Sequence, residues 1–227
     1  MKLKMTGIFV IAFLYLSAAA WTAVEMGVYS GCMEYWKDSE YDICCRSIGA
    51  VTREECFING QGEPVRGFDI TDVKPGDVFV TASTHSLAWR HGHVAIVTGT
   101  DPLQTLEAEV LGTESRIVEN PMWERYTTFA QLRLKDEYGG EKAARKAAEY
   151  GTANLVGCPY GFLCSKDSDN PANIHCAFLV WRAYMKAGVD IDSNGGKVVT
   201  PRDILGSSCF EKVQSYGLSQ SVSPASL

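Results

Sequence analysis

The stretch Asn173–Gly188 of this 227-residue chain reads NIHCAFLVWRAYMKAG. After Cys176 its apolar residues recur every three or four positions, which predicts an amphipathic helix from about Ile174 to Ala187. Asn173 is predicted to cap the start of this helix, and Gly188 is predicted to close its end. The apolar stripe consists of Leu179, Val180, Ala183, Tyr184 and Ala187.

Cys176 falls in the first turn of the predicted helix. The free amide groups and the positive dipole end of a helix favour a thiolate over a thiol, so a cysteine at this position can become a nucleophile. The alternative is that Cys176 is only a small buried residue on the core stripe. The rest of the sequence has to decide between the two interpretations.

A nucleophilic cysteine needs a base, and the chain has four histidines: His85, His91, His93 and His175. His93 opens HVAIVTG, a run typical of a buried strand, so its side chain is predicted to project from the strand's end into a cleft. His91 is two residues earlier and can share that face, and His85 is predicted to lie in a loop. His175 adjoins Cys176, but neighbours on a helix diverge by about 100°, so we expect its ring to point elsewhere.

The strand after HVAIVTG supplies acids that can orient a histidine. TLEAEVL follows a turn containing Asp101 and Pro102, and the two strands are predicted to form a hairpin. Glu107 and Glu109 alternate with Ala108 and are expected on one face. A carboxylate there can fix the tautomer of His93 and support its charged form. Glu114 is the third candidate, and solvated acids on a strand face are the alternative.

The pattern as a whole predicts strands that are followed by helices, which indicates an α+β domain with an antiparallel sheet packed against helices. Two helices are expected, one over about Glu141 to Asn154 and one over about Ile174 to Ala187. The predicted strands are Val78–Ala82, His93–Thr98, Thr105–Leu111, Ser115–Val118 and Phe129–Leu134.

The order of the motifs resembles the circularly permuted papain-like (NlpC-type) cysteine hydrolases of the YiiX-like group, in which the histidine strand precedes the cysteine helix. The motifs are PGDVFVTAS, HGHVAIV, LEAEVLGTESRIV, GCPYGF and HCAFLVWRAYMKAGVDI, and they run from about Lys74 to Ser208. The resemblance implies a permuted papain-like fold. It makes Cys176 the nucleophile, His93 the base and Glu107 the orienting acid, and it implies that Tyr160 helps bind the oxyanion or substrate.

The resemblance implies hydrolysis of an amide or peptide bond through a Cys-His-Glu triad, without a metal or cofactor. The substrate is expected to be a small peptide, a cell-wall peptide or an acyl amide, with peptidoglycan stem peptides as the first candidate. A lipid-directed thioesterase or acyltransferase is the alternative enzyme, and a secreted binding module with a vestigial site is the alternative outside enzymes. Ala177 departs from the family, whose members commonly carry a serine after the nucleophile.

The first 20 residues have the pattern of a secretory signal peptide. Lys2 and Lys4 precede the apolar stretch GIFVIAFLYLS, and three alanines ending at Ala20 form a small-residue exit. The protein is therefore expected to be secreted or periplasmic, with no stable membrane span after processing. The predicted organisation is a leader (1–20), a Cys-rich N-terminal segment (21–70), the hydrolase domain (71–215) and a flexible tail (216–227).

Eight cysteines in an exported chain favour disulfides. Cys44 and Cys45 are adjacent and poorly placed to bridge each other. Two bridges are therefore expected, from Cys32 and Cys56 to that central pair. A further bridge and one spare thiol are expected among Cys158, Cys164 and Cys209. Zinc is the competing idea, but the C-x-x-C pairs typical of structural zinc are missing.

The net charge excludes one class of partner. It is −6 for the whole chain, and it becomes −8 once the two lysines of the predicted leader are removed, because residues 1 to 20 contain no acid. No basic patch appears, so neither nucleic acid nor an anionic membrane surface is an expected partner. About 205 residues remain, enough for one domain with its own core.

Overall fold

The computed structural model describes residues 30–86, 89–162, 164–167 and 173–218. Within them it has nine strands: β1 (Asp42–Ser47), β2 (Thr52–Ile58), β3 (Val78–Thr81), β4 (Thr84–Ser86), β5 (His93–Thr100), β6 (Leu103–Glu107), β7 (Arg116–Glu119), β8 (Phe129–Leu134) and β9 (Phe210–Tyr216). Three helices follow or interrupt them: α1 (Gly140–Asn154), α2 (Cys176–Lys186) and α3 (Pro201–Leu205). Residues 30–35 are also helical.

Six strands form the main sheet, in the order β7-β6-β5-β3-β8-β9, and every neighbouring pair is antiparallel. Helices α1 and α2 pack on one face of it, where Val94 and Ile96 of β5 join the larger apolar core. The opposite face carries a smaller core around Phe79, Trp123 and Phe129. The α+β class with an antiparallel sheet packed against helices is therefore confirmed.

A second sheet combines strands from the N-terminal segment and from the domain predicted at residues 71–215. Its order is β1-β2-β4, so β2 of the segment pairs with β4 inside the range 71–215. Buried Glu54 of β2 binds Arg125, whose guanidinium donates to both carboxylate oxygens. This pairing ties the segment to the larger sheet, because a buried carboxylate requires a paired cation.

Most predicted elements have close counterparts, but the strand predicted at Thr105–Leu111 is β6 (Leu103–Glu107), which ends four residues earlier. The strand Phe129–Leu134 agrees at both ends, and the predicted hairpin is the antiparallel pair β5-β6. Helix α1 begins one residue earlier than expected. Gly188 closes α2 as predicted, with a φ of +93° that favours glycine. β9 extends to Tyr216, one residue into the predicted tail, whereas the predicted leader (1–20) lies outside the described residues.

The prediction that Asn173 caps α2 is wrong. The capping residue is His175, whose side chain accepts a hydrogen bond from the Phe178 amide. The helix begins at Cys176, two residues later than the pattern suggested. Asn173 lies instead beside Cys164, whose thiol donates to its side-chain oxygen at 3.2 Å.

All eight cysteines are free thiols, and the predicted bridge from Cys32 to the central pair is wrong. The thiol of Cys32 donates to the Thr127 carbonyl at 3.3 Å, on a different part of the fold. Cys45 faces His85 Nε2 at 3.3 Å. Cys44 alone of that pair faces another sulfur, since it is directly opposite Cys56 in the β1-β2 ladder with 3.7 Å between the Sγ atoms. The further bridge is also not formed, since Cys158, Cys164 and Cys209 are all free, and the thiol of Cys209 donates to the Asp190 carbonyl.

Oxidation is expected to join Cys44 to Cys56, because the two residues are paired across adjacent strands and their sulfurs are already in contact. The protein incubated with oxidised glutathione should lose two hydrogens, and peptide mapping should find the bond between β1 and β2. Closing a loop of this length stabilises the fold by about 3 kcal/mol. Cys158→Ser is the control, which should leave the mapped bond unchanged. A bridge from Cys32 to Cys45 would contradict this expectation.

Candidate active site

Cys176 is the first residue of α2, and its side chain is buried, with 5% of the residue exposed. The chain reaches this position through a short parallel bridge between Tyr160 and Ile174. The Gly161 amide donates to the Ile174 carbonyl at 2.9 Å, and a Cβ at Gly161 would collide with the Asn173 side chain. This close approach holds Tyr160 beside the start of the helix.

His93 and Glu107 form a buried pair at the ends of neighbouring strands. His93 is the first residue of β5 and Glu107 is the last residue of β6, and the distance from Nε2 to Oε2 is 2.9 Å. Each is about 4% exposed. Gly92 sets the position of His93: its φ is +75°, and a Cβ there would lie 2.5 Å from the Thr81 carbonyl oxygen.

Two further side chains hold the carboxylate and the ring. Trp123 donates from Nε1 to Glu107 Oε1 at 3.0 Å, and its ring stacks on the His93 imidazole with 5.3 Å between centroids and 10° between planes. Thr105, two residues before Glu107 on the same strand face, donates its hydroxyl to Oε1. The imidazole therefore has a fixed position and orientation.

The pKa values of the pair move in opposite directions. Burial alone raises the pKa of Glu107, but hydrogen bonds from His93, Thr105 and Trp123 hold it well below its ordinary value. Burial alone lowers the pKa of His93, but hydrogen bonding with Cys176 and Glu107 raises it well above its ordinary value. Since Nε2 faces Glu107, Nδ1 is the nitrogen that remains for the sulfur.

The pKa of Cys176 is lowered despite its burial. Burial alone raises it, but contacts with the His175 and His93 side chains outweigh that effect. A lowered pKa on the thiol beside a raised pKa on the imidazole favours a thiolate-imidazolium pair. The structure thus brings Cys176, His93 and Glu107 together as the sequence analysis expected.

The remaining histidines differ from the predicted arrangement. His91 is half-buried, with Nδ1 2.6 Å from the Gly92 carbonyl oxygen and Nε2 2.9 Å from Ser86 Oγ, and partial burial lowers its pKa. His85 is not in a loop but in β4. The expectation that His175 points away from the site is wrong: it lines the same cleft as Cys176, and its contact lowers the pKa of the thiol.

Glu107, and not Glu109, is the carboxylate that contacts His93, because the β6-β7 ladder ends at Glu107, which is opposite Arg116. Glu109 is therefore not on the same strand face. Its carboxylate is 2.5 Å from the Arg116 guanidinium. Glu114, the third candidate, is exposed and joins an isolated bridge to Pro159.

An apolar cleft opens on Cys176. Tyr160 lines it, and burial raises the pKa of its hydroxyl, which stays protonated. Trp89 and Val198 are 47% and 41% exposed at the cleft. Among the described residues no charged side chain lines it; the lining consists of Trp89, His91, Tyr160, Phe162, His175, Cys176, Val198, Val199, Thr200 and Pro201.

Sequence reasoning missed Trp123, Thr105 and the proximity of His175. Thr105 had a usable signal, because it is two residues before Glu107 in a predicted strand. Trp123 had none, since 16 residues separate it from Glu107. In the part of the chain that the structure describes, no cluster of three or more His, Cys, Asp or Glu residues could hold a metal ion.

Comparisons with known proteins add a distant similarity. The chain is 29% identical over 136 residues to a protein of Bacillus subtilis (strain 168) called uncharacterized protein YycO, an alignment that covers 59% of this chain. The chain spans about half of that relative, 52% of its length. No family model and no solved structure matches.

Proposed function

We propose that this protein is an exported cysteine hydrolase that cleaves an amide or peptide bond through Cys176, His93 and Glu107, on a permuted papain-like fold of the YiiX-like group. The observation that carries the proposal is the buried imidazole of His93, which contacts the Glu107 carboxylate through Nε2 and the Cys176 thiol on its other side. A histidine with only a structural role would be satisfied by the Glu107 carboxylate alone, without a contact to a thiol.

The proposed reaction uses the thiolate of Cys176 and the protonated imidazole of His93. The thiolate of Cys176 attacks the carbonyl carbon, and a C–S bond forms as the carbonyl electrons move to oxygen. The protonated His93 then donates to the leaving amine, the C–N bond breaks, and a thioester remains on the enzyme. Water, deprotonated by His93, attacks the thioester and releases the acid. Glu107 stays ionised and supports the charged imidazole.

Backbone amides at the start of α2 are the proposed oxyanion donors. The first amides of a helix have no partner within it, and those of Cys176 and Ala177 belong to that turn. The Phe178 amide is already used by the His175 side chain. Tyr160, which is protonated and lines the same cleft, is the side-chain candidate for the same role.

Peptidoglycan stem peptides remain the first substrate candidate, because the sequence predicts export. One observation favours the acyl alternative, a lipid-directed thioesterase or acyltransferase: the cleft at Cys176 is lined by aromatic and aliphatic side chains without a charged group among the described residues. Stem peptides carry several carboxylates, which such a lining cannot pair.

Helix length, net charge and the state of the Cys176 thiol bear on the partners of the protein and on the alternative of a binding module. No helix in the described part of the chain is long and apolar enough to cross a membrane. The net charge is −6, so nucleic acid is not a proposed partner. A binding module with a vestigial site has no use for a thiol whose pKa is lowered, and this observation favours the enzyme.

A substrate panel tests the proposal. The protein lacking residues 1 to 20 is incubated with stem-peptide fragments, N-acyl amino acids and phospholipids, and products and intact protein are followed by mass spectrometry. We expect one class to be hydrolysed and its acyl group to appear transiently on Cys176. The matched control is the Cys176→Ala variant, which should form neither product nor adduct. Products formed equally by both proteins would contradict the proposal.

A further inference from the structure

The His175 ring is held in one tautomer by the helix that it caps. Its Nδ1 accepts a hydrogen bond from the Phe178 amide at 3.2 Å. A nitrogen that accepts from an amide carries no proton, so in the neutral ring the proton is on Nε2. Cap and tautomer are therefore coupled, and the ring presents an N–H group on the side away from the cap.

That Nε2–H group has no partner. His175 is 7% exposed, and its Nε2 is a buried polar atom without a hydrogen bond among the described residues. Burying a donor in this way is costly unless some state of the protein supplies an acceptor. The ring lies against Cys176, where it contributes to the lowered pKa of the thiol.

Few other groups around Cys176 could donate a hydrogen bond to its sulfur or offset its negative charge. His91 cannot donate to the sulfur, because its two nitrogens face Gly92 and Ser86. The remaining ionisable groups near the thiol are His93 from β5, Tyr160, Cys164 and Glu109. No lysine or arginine lines the described walls of the two pockets that contain Cys176.

We propose that His175 is a second imidazole that stabilises the Cys176 thiolate, with its Nε2–H donating to Sγ once the thiol has transferred its proton to His93. A neutral thiol is a weak acceptor, whereas a thiolate is a strong one, so the unpartnered donor gains its partner on ionisation. His175 thereby supports the ion pair while its Nδ1 continues to cap α2. The inference rests on the proposed function only in taking Cys176 as the reactive thiol.

The test is the pH dependence of alkylation, which needs no substrate. Iodoacetamide is added to the wild-type protein over a range of pH, and modification of the Cys176 peptide is followed by mass spectrometry. In His175→Asn the cap is kept, because an asparagine side chain caps a helix at least as well, but the donor is lost. We expect the apparent pKa of Cys176 to rise by about one unit in this variant. At pH values below the Cys176 pKa of both proteins, the variant should therefore be alkylated about tenfold more slowly than the wild type, and the two rates should become equal at high pH.

Control variants separate thiolate stabilisation by His175 from its role as the helix cap and from a direct action on the substrate. His85→Asn removes a histidine that contacts Cys45 instead, and it should leave the Cys176 profile unchanged. His175→Ala should lower the melting temperature as well, since it loses the cap. If the alkylation profile of His175→Asn is the same as that of the wild type, the inference is overturned. If turnover nevertheless falls in that variant, His175 acts on the substrate carbonyl and not on the thiolate. If the profile shifts although no acyl substrate is cleaved, the proposed function fails and the inference stands.

Discussion

Cys176→Ala is expected to abolish turnover completely. The sulfur forms the covalent bond to the acyl group in the proposed reaction, and neither His93 nor water bound in its place supplies an equivalent nucleophile. The residue is buried at the start of α2, so the loss of its sulfur should cost about 1 kcal/mol of folding free energy, as is typical of a point substitution. Rates are measured on the substrate identified by the panel, and melting curves are recorded in parallel.

Cys164→Ala is the matched control for this prediction. Cys164 is a second buried thiol near the site, but its sulfur donates to the Asn173 and Gly161 carbonyls and its pKa is raised by burial. This variant should retain activity and should still be alkylated at Cys176. Full activity in Cys176→Ala, or its loss in Cys164→Ala alone, would contradict the assigned nucleophile.

His93→Ala is expected to reduce the rate by about a thousandfold or more, because both thiol deprotonation and leaving-group protonation are lost. The pH profile should change with it. In the wild type, the ion pair exists from the lowered pKa of Cys176 up to the raised pKa of His93, so activity falls below the first value and above the second. Without His93 the pKa of Cys176 rises, and alkylation at neutral pH should slow.

Glu107→Gln should have a smaller effect, roughly ten- to a thousandfold, because the nucleophile and base remain while the orienting charge is removed. Glu109→Gln is its control: Glu109 also lies near the thiol, but its carboxylate contacts Arg116 and not His93, so activity should fall much less than in Glu107→Gln. If Glu109→Gln were the more damaging change, the acid would be misassigned, although Cys176 and His93 would stand.

The elements that the sequence predicted well are those with strong internal periodicity. The stripe after Cys176 buries one face of α2, and the first five residues of β5 are all buried, so the pattern of apolar residues is nearly sufficient to define these two elements. The missed elements are different. β1 buries no residue fully, and β4 has only three residues, so both exist because β2 lies between them. β9 pairs with β8 across more than 70 intervening residues, and no local signal reports such a partner.

By itself, the sequence determined the α+β class, the order of the main strands and helices, and the residue types from which a Cys-His-Glu site can be built. Only the tertiary structure decided which members of those sets meet. It selected Glu107 over Glu109 because the ladder with β7 ends at Arg116, and it turned His175 toward Cys176 because that ring caps the helix. It also paired Cys44, and not Cys32, with another thiol. The apolar periodicity of a helix or strand can be read from its own residues. The contacts of Glu107, His175 and Cys44 depend instead on strand register and on side chains from elements distant in sequence.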